Sequence, residues 1–344
     1  MSQSLQAALP SGVEVAFASP SQSLFFQPIM GGGPSQEDGS DFDGDTNATA
    51  TVLRDGKRGS LWVSIRQSTD PIPPCVAGYL DARRMLADGT VVDVVDTWSE
   101  TNGVRTLSRS AHAYVPDGTR VSANSTDATF SGSTETNSGT VPLTVDELAS
   151  VVAAPGLRVS TPVPPGTDAP PESCYSPVEE GSGPAIDHAT AERLDVVLAS
   201  LPLDGITLDR RLGALWPASS DNGAVCQTAR VTTPGQEATL DIAIAGGQEL
   251  PSTQAPPETG GTGDRTTVRQ SPDGTVVEHS ENSFASIGVR AGSEPKFTTR
   301  RAVTVTHPSG TLVRVISSAD SPAAPLSFEQ LDAVALAPGL EVAP

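Results

Sequence analysis

Lysine is nearly missing from this chain of 344 residues, with Lys57 and Lys296 the only two. Arginine supplies the rest of the 21 basic residues, against 41 acidic ones, for a formal net charge of −20. A surface this acidic argues against nucleic acid, which is bound through basic contacts to phosphate, and it is not drawn to anionic lipid. Long apolar runs are absent as well: none reaches the roughly 18 residues a membrane span needs. No basic stretch followed by an apolar one marks a secretory leader. The chain is therefore expected not to insert into a membrane by itself.

Cysteine is scarce. Cys75, Cys174 and Cys226 allow at most one disulfide, and the sequence leaves all three pairings open. None of them has a cysteine or histidine neighbour at metal-binding spacing. The four histidines, His112, His188, His279 and His307, are scattered. Neither a G-x-S-x-G elbow, an H-E-x-x-H helix nor a phosphate-cradling glycine loop occurs. Aromatic residues make up only 4% of the chain. The expectation is a non-catalytic protein without a cofactor.

What is present is a repeat. Pro142-Leu143-Thr144-Val145-Asp146-Glu147-Leu148 returns as Pro325-Leu326-Ser327-Phe328-Glu329-Gln330-Leu331, a spacing of 183 residues. Ala154-Pro155-Gly156-Leu157 returns as Ala337-Pro338-Gly339-Leu340 at the same spacing. A period this long means two tandem domains and not a short-unit solenoid. Thr144 with Glu147, and Ser327 with Gln330, match a capping box, while Leu143 with Leu148 and Leu326 with Leu331 sit at the positions of a hydrophobic staple. Each repeat is thus expected to close on a capped helix, ended by Pro-Gly.

Between the helices the pattern is that of strands. Ser60 to Arg66 and Thr239 to Ala245 alternate apolar with polar residues. Asp88-Gly89-Thr90 and Asp273-Gly274-Thr275 signal hairpins, followed by Asp117-Gly118-Thr119 and Ser309-Gly310-Thr311. The expected fold is α+β: two similar modules, each an antiparallel sheet with an opening helix and a capped C-terminal helix. The first module covers residues 1–159 and the second 187–344, joined by a Pro/Gly-rich linker over 160–186 that contains Cys174. Leu201-Pro202 ends the opening helix of the second copy, and Leu9-Pro10 matches it, so the first copy begins partway through its helix. This pattern is expected of a chain cut just downstream of an N-terminal anchor.

Two stretches are candidate sites. Asp41, Asp43 and Asp45 have the alternate spacing of a calcium loop. However, Thr46 stands where an EF-hand needs glycine, Val52 stands where it needs a bidentate glutamate, and the second copy does not repeat the run. The plain expectation there is a solvated loop. Leu24, Phe25 and Phe26 could form an apolar patch for a partner, or could fill their own core.

The Pro-Asp-Gly-Thr turns (Pro116 to Thr119, Pro272 to Thr275) and the Pro-Leu-Thr/Ser-x-x-x-Leu helix starts resemble a module of extracytoplasmic parts of actinobacterial membrane-anchored proteins. That resemblance implies an exported, tethered protein, and it brings no assigned chemistry. The expected function is a monomeric, non-catalytic ectodomain that binds a protein or a cell-envelope ligand. A self-assembling surface protein is the alternative, and a secreted hydrolase comes third.

Overall fold

A computed structural model describes residues 1–28, 45–76, 79–131, 134–158, 171–178, 183–220, 222–233, 236–252, 265–286 and 296–342. The protein is mixed α and β, mostly antiparallel sheet with few helices, and divides into two compact units, Met1–Glu172 and Ser173–Pro344. No helix among the described residues is long and apolar enough to cross a membrane.

The first unit opens with helix α1 (Ser2–Ala8) and the short strand β1 (Glu14–Val15). Strands β2 (Asp45–Arg54), β3 (Lys57–Gln67), β4 (Ala82–Met85), β5 (Val91–Thr101), β6 (Val104–Tyr114) and β7 (Thr119–Thr126) follow. A small hairpin, β8 (Ala128–Ser131) and β9 (Thr134–Asn137), leads to helix α2 (Val145–Val152). The seven-stranded sheet runs β1-β2-β3-β7-β6-β5-β4, antiparallel throughout, so β3 and β7 are central and the β3–β4 connection crosses to the far edge.

The second unit contains helix α3 (His188–Ala199) and strands β10 (Trp216–Pro217), β11 (Val225–Thr233), β12 (Gln236–Ala245) and β13 (Arg265–Gln270). Strands β14 (Val276–Ser286), β15 (Lys296–Thr306) and β16 (Leu312–Asp320) and helix α4 (Phe328–Ala335) complete it. Its sheet order, β10-β11-β12-β16-β15-β14-β13, repeats the first one strand for strand.

Local chemistry explains the turns and caps. Thr90, Thr119 and Thr275 donate their backbone N–H to the carboxylates of Asp88, Asp117 and Asp273 at 2.8–3.0 Å. The glycine between each pair takes the positive φ that the turn requires: +84°, +89° and +90°. Both capping boxes form, Thr144 with Glu147 and Ser327 with Gln330.

Alternation then decides which sheet face is covered. In β3 the buried Leu61, Val63 and Ile65 point into one cluster with Leu5 of α1, Leu148, Val151 and Val152 of α2, and Ala111, Ala113, Val121 and Ala123 of the neighbouring strands. Leu24 and Phe26 belong to that cluster, at 0% and 5% exposure. They fill the core of the first unit, which corrects the expectation of an exposed patch there. Phe25 lies between them and is part-buried.

Candidate functional site

The opposite face of the first sheet is mostly polar, because most alternate residues of β2, β3, β6 and β7 are Ser, Thr, Asn or charged. Strand register aligns these residues in rows. Thr49, Trp62, Asn124 and Ser110 form one row across β2, β3, β7 and β6. Asn47, Ser64, Ser122, His112 and Asp93 form the next, reaching β5. Asp45, Arg66, Arg120 and Tyr114 form a third. Trp62, at the centre of the sheet, is 41% exposed.

Hydrogen bonds between these side chains fix their rotamers. Asn124 Nδ2 donates to Ser108 Oγ at 2.9 Å, Ser60 and Thr126 share a hydroxyl bond at 2.8 Å, and His112 Nδ1 lies 2.9 Å from Ser122 Oγ. Burial pushes the His112 imidazole down from its ordinary pKa, against a smaller opposing pull from Asp93.

The β3–β4 connection covers one end of this face. Arg83 clasps Asp93 with two bonds of 2.6 and 2.7 Å and donates to the carbonyl of Pro73 at 2.8 Å. Asp93 is only 2% exposed, so the bidentate pair is what makes burying its charge tolerable. Arg120 donates to the carbonyl of Asp70 at 2.8 Å and lies over the Tyr114 ring, 5.2 Å from its centroid. Between this connection and the β6–β7 turn is an open cleft of about 610 Å³, lined by Asp70, Ile72, Tyr114, Pro116 and Arg120 among others.

The same face of the second sheet is built differently. Counted from the closing pairs of the two hairpins, Arg54↔Lys57 and Thr233↔Gln236, Asp241 takes the place of Trp62, and Cys226 the place of Asn47. Cys226 is bonded to Cys174. The disulfide draws the segment around Cys174 onto the sheet, where Cys174, Val178, Ala218, Ala224, Cys226, Ala243 and Ala245 form a separate buried cluster with Leu312 against it. Part of the stretch read as linker thus packs onto the second unit. Ser219 and Asn222 donate to the carbonyls of Cys174, Ser176 and Val178 and hold it there. Asp241 accepts from Thr228 at 2.7 Å, and burial raises its carboxyl above the usual range.

Of the proposed calcium ligands, Asp41 and Asp43 lie outside the described residues, and Asp45 begins β2 in an exposed position. Among the described residues no group of three or more His, Cys, Asp or Glu could hold a metal. Cys75 is free and exposed. His279 Nε2 lies 2.8 Å from Asp332 Oδ1, but its ring stacks on Phe328 at 4.7 Å and Arg269 reaches the other carboxylate oxygen at 3.4 Å. That arrangement ties α4 to β14.

The sequence reading missed Trp62. The alternation of Leu61, Val63 and Ile65 was the signal that places it outward. No protein-family model, curated protein or solved structure matches this chain.

Proposed function

We propose that the chain is a non-catalytic extracytoplasmic binding protein whose ligand surface is the polar face of the first sheet. The two units are copies of one module, each made of an opening helix, a seven-stranded sheet and a capped C-terminal helix, and the copies have diverged on that face. The observation that carries the reading is this asymmetry. The second copy closes the face with its own chain and a disulfide, whereas the first leaves Trp62 exposed at its centre. An exposed indole framed by hydrogen-bonded Ser, Thr and Asn side chains is a preformed surface, with little ordering left to lose on binding.

The Cys174–Cys226 bond supports an oxidising, extracytoplasmic location. Tethering by an N-terminal anchor belongs to the same proposal, as does the ligand, which is cell-envelope material. The test is sedimentation with insoluble cell-wall preparations from an actinobacterium. The chain co-sediments, Trp62→Ala lowers the bound fraction severalfold, and Trp98→Ala, at an exposed hairpin tip, leaves it unchanged. Failure to co-sediment, or equal binding by all three proteins, overturns the reading.

A further inference from the structure

Arg66 and Arg120 stand directly opposite each other on β3 and β7, on the same face as Trp62. Like charges in directly opposed positions destabilise a sheet unless something compensates them. Nearly every other arginine of the first unit has a carboxylate: Arg54 has Glu147, Arg83 has Asp93, Arg84 has Asp146, Arg105 has Glu100, Arg109 has Asp96 and Arg158 has Asp117. Arg120 has no carboxylate: it donates to the backbone carbonyls of Asp70 at 2.8 Å and of Val115 and Thr119 at 3.4 Å, and lies over the Tyr114 ring. Arg66 is exposed, and although Asp45 is its neighbour across β2, the two are not within ion-pair distance. In a protein with 41 acidic residues and 21 basic ones, two adjacent arginines left without carboxylates form a local inversion of charge. Their planar guanidinium forks match an incoming carboxylate.

Arg66 is four residues from Trp62 along β3, about 13 Å at the rise of a strand. Ser64 lies between them, and Asn124 and Ser122 run alongside on β7. The face therefore offers, in line, a flat aromatic ring, hydroxyl and amide groups, and a paired cationic end. A pyranose ring presents a C–H face that covers an indole and hydroxyls that pair with Asn and Ser. A carboxylated sugar adds the anion. A peptide that binds by strand addition needs a free sheet edge, and β3 and β7 are both central strands with none.

We infer that this face binds an acidic, carboxylate-bearing glycan, with Trp62 stacking on one sugar ring and Arg66 and Arg120 holding a carboxylate farther along the chain. The inference rests on the binding-protein reading and names the class of its ligand. At physiological salt the repulsion from the rest of the acidic surface is screened within about 8 Å, so the contact pairs decide.

The experiment is calorimetric titration with polygalacturonate oligosaccharides, with the same oligosaccharides after reduction of their carboxyl groups, and with dextran. Polygalacturonate binds, Arg66→Ala weakens it roughly tenfold or more, and the carboxyl-reduced form binds wild type no better than the acid form binds Arg66→Ala. Arg66 has an exposed side chain, so its variant keeps the wild-type melting curve; Arg120→Ala repeats the test from the neighbouring strand. Equal affinity for acid and reduced forms, or no effect of either arginine, overturns the inference. If the wall preparation still binds through Trp62 in that case, the binding-protein reading stands. If neither glycan nor wall material binds, both fall.

Discussion

Arg109 holds Asp96 at 2.9 Å through its Nε and turns its Nη1 to the carbonyl oxygen of Leu143, 3.1 Å away. Arg301 makes the corresponding contacts in the second unit, with Glu281 at 2.5 Å and the carbonyls of Pro325 and Leu326 at 3.3 and 3.4 Å. In each unit one arginine fixes the approach to a capped helix, with a carboxylate fixing the arginine. The repeat therefore extends below the backbone to a side-chain device joining helix to sheet.

Removing that device has a defined cost. Arg109→Ala and Arg301→Ala each leave a carboxylate and backbone carbonyls without their donor. Each is expected to lower stability by about 1–3 kcal/mol in denaturant unfolding. Arg109→Lys recovers only part of the loss, because an ammonium cannot reproduce the fork.

Glu147 is a second point of failure, set by pH. Arg54 bonds it at 2.7 and 2.8 Å, and that pair, with smaller help from Thr144, holds its carboxyl down to about 2. A carboxyl in the unfolded chain titrates near 4.3. The folded pKa is depressed, so the stabilisation is fully present above the unfolded value and is lost as pH falls from about 4.3 to about 2. Thermal melts across that window show a steeper loss for wild type than for Glu147→Gln, which lacks the titrating group. Parallel curves would remove Glu147 as the cause.

The disulfide closes a span of 52 residues. Chain-entropy arguments give such a loop roughly 4 kcal/mol of stabilisation. The double variant Cys174→Ala/Cys226→Ala is expected to unfold at correspondingly lower denaturant, and limited proteolysis to cut first near Tyr175, which is already exposed.

Gly59 tests the packing of the helix approach onto β3. A Cβ there would run into the backbone carbonyl of Thr126 and meet the Pro142 ring at 2.6 Å. Gly59→Ala is expected to cost about 1–3 kcal/mol in denaturant unfolding, as overpacking does.

Features fixed within a few residues were legible in the sequence: both capping boxes, the Asp-Gly-Thr turns and the strand alternation of Ser60 to Arg66. Each depends on a side chain meeting backbone two or three residues away, or on the two-residue period of a strand. The site was half legible. Alternation places Trp62, Ser64 and Arg66 on one face, but their meeting with Asn124, Ser122 and Arg120 depends on β3 pairing with a strand about 60 residues on in sequence, after three intervening strands. No local pattern carries that pairing. The choice of Cys174 over Cys75 as the partner of Cys226 is non-local in the same way. Leu24 and Phe26 stayed open between patch and core because an apolar cluster reads alike in either setting. Only the strand laid against it decides, here through the bond from Leu24 N–H to the Thr49 carbonyl at 3.0 Å.

The central claim is that the polar face of the first sheet is where ligand sits. Trp62 and Trp98 provide an internal comparison, being 41% and 53% exposed on opposite faces. Oxidative footprinting with residue-level mass spectrometry, with and without bound cell-wall material, reads both at once. Protection of Trp62 with Trp98 oxidised at its unliganded rate is the predicted result. Saturating binding that leaves Trp62 as reactive as before, or that shields Trp98 instead, would contradict the account.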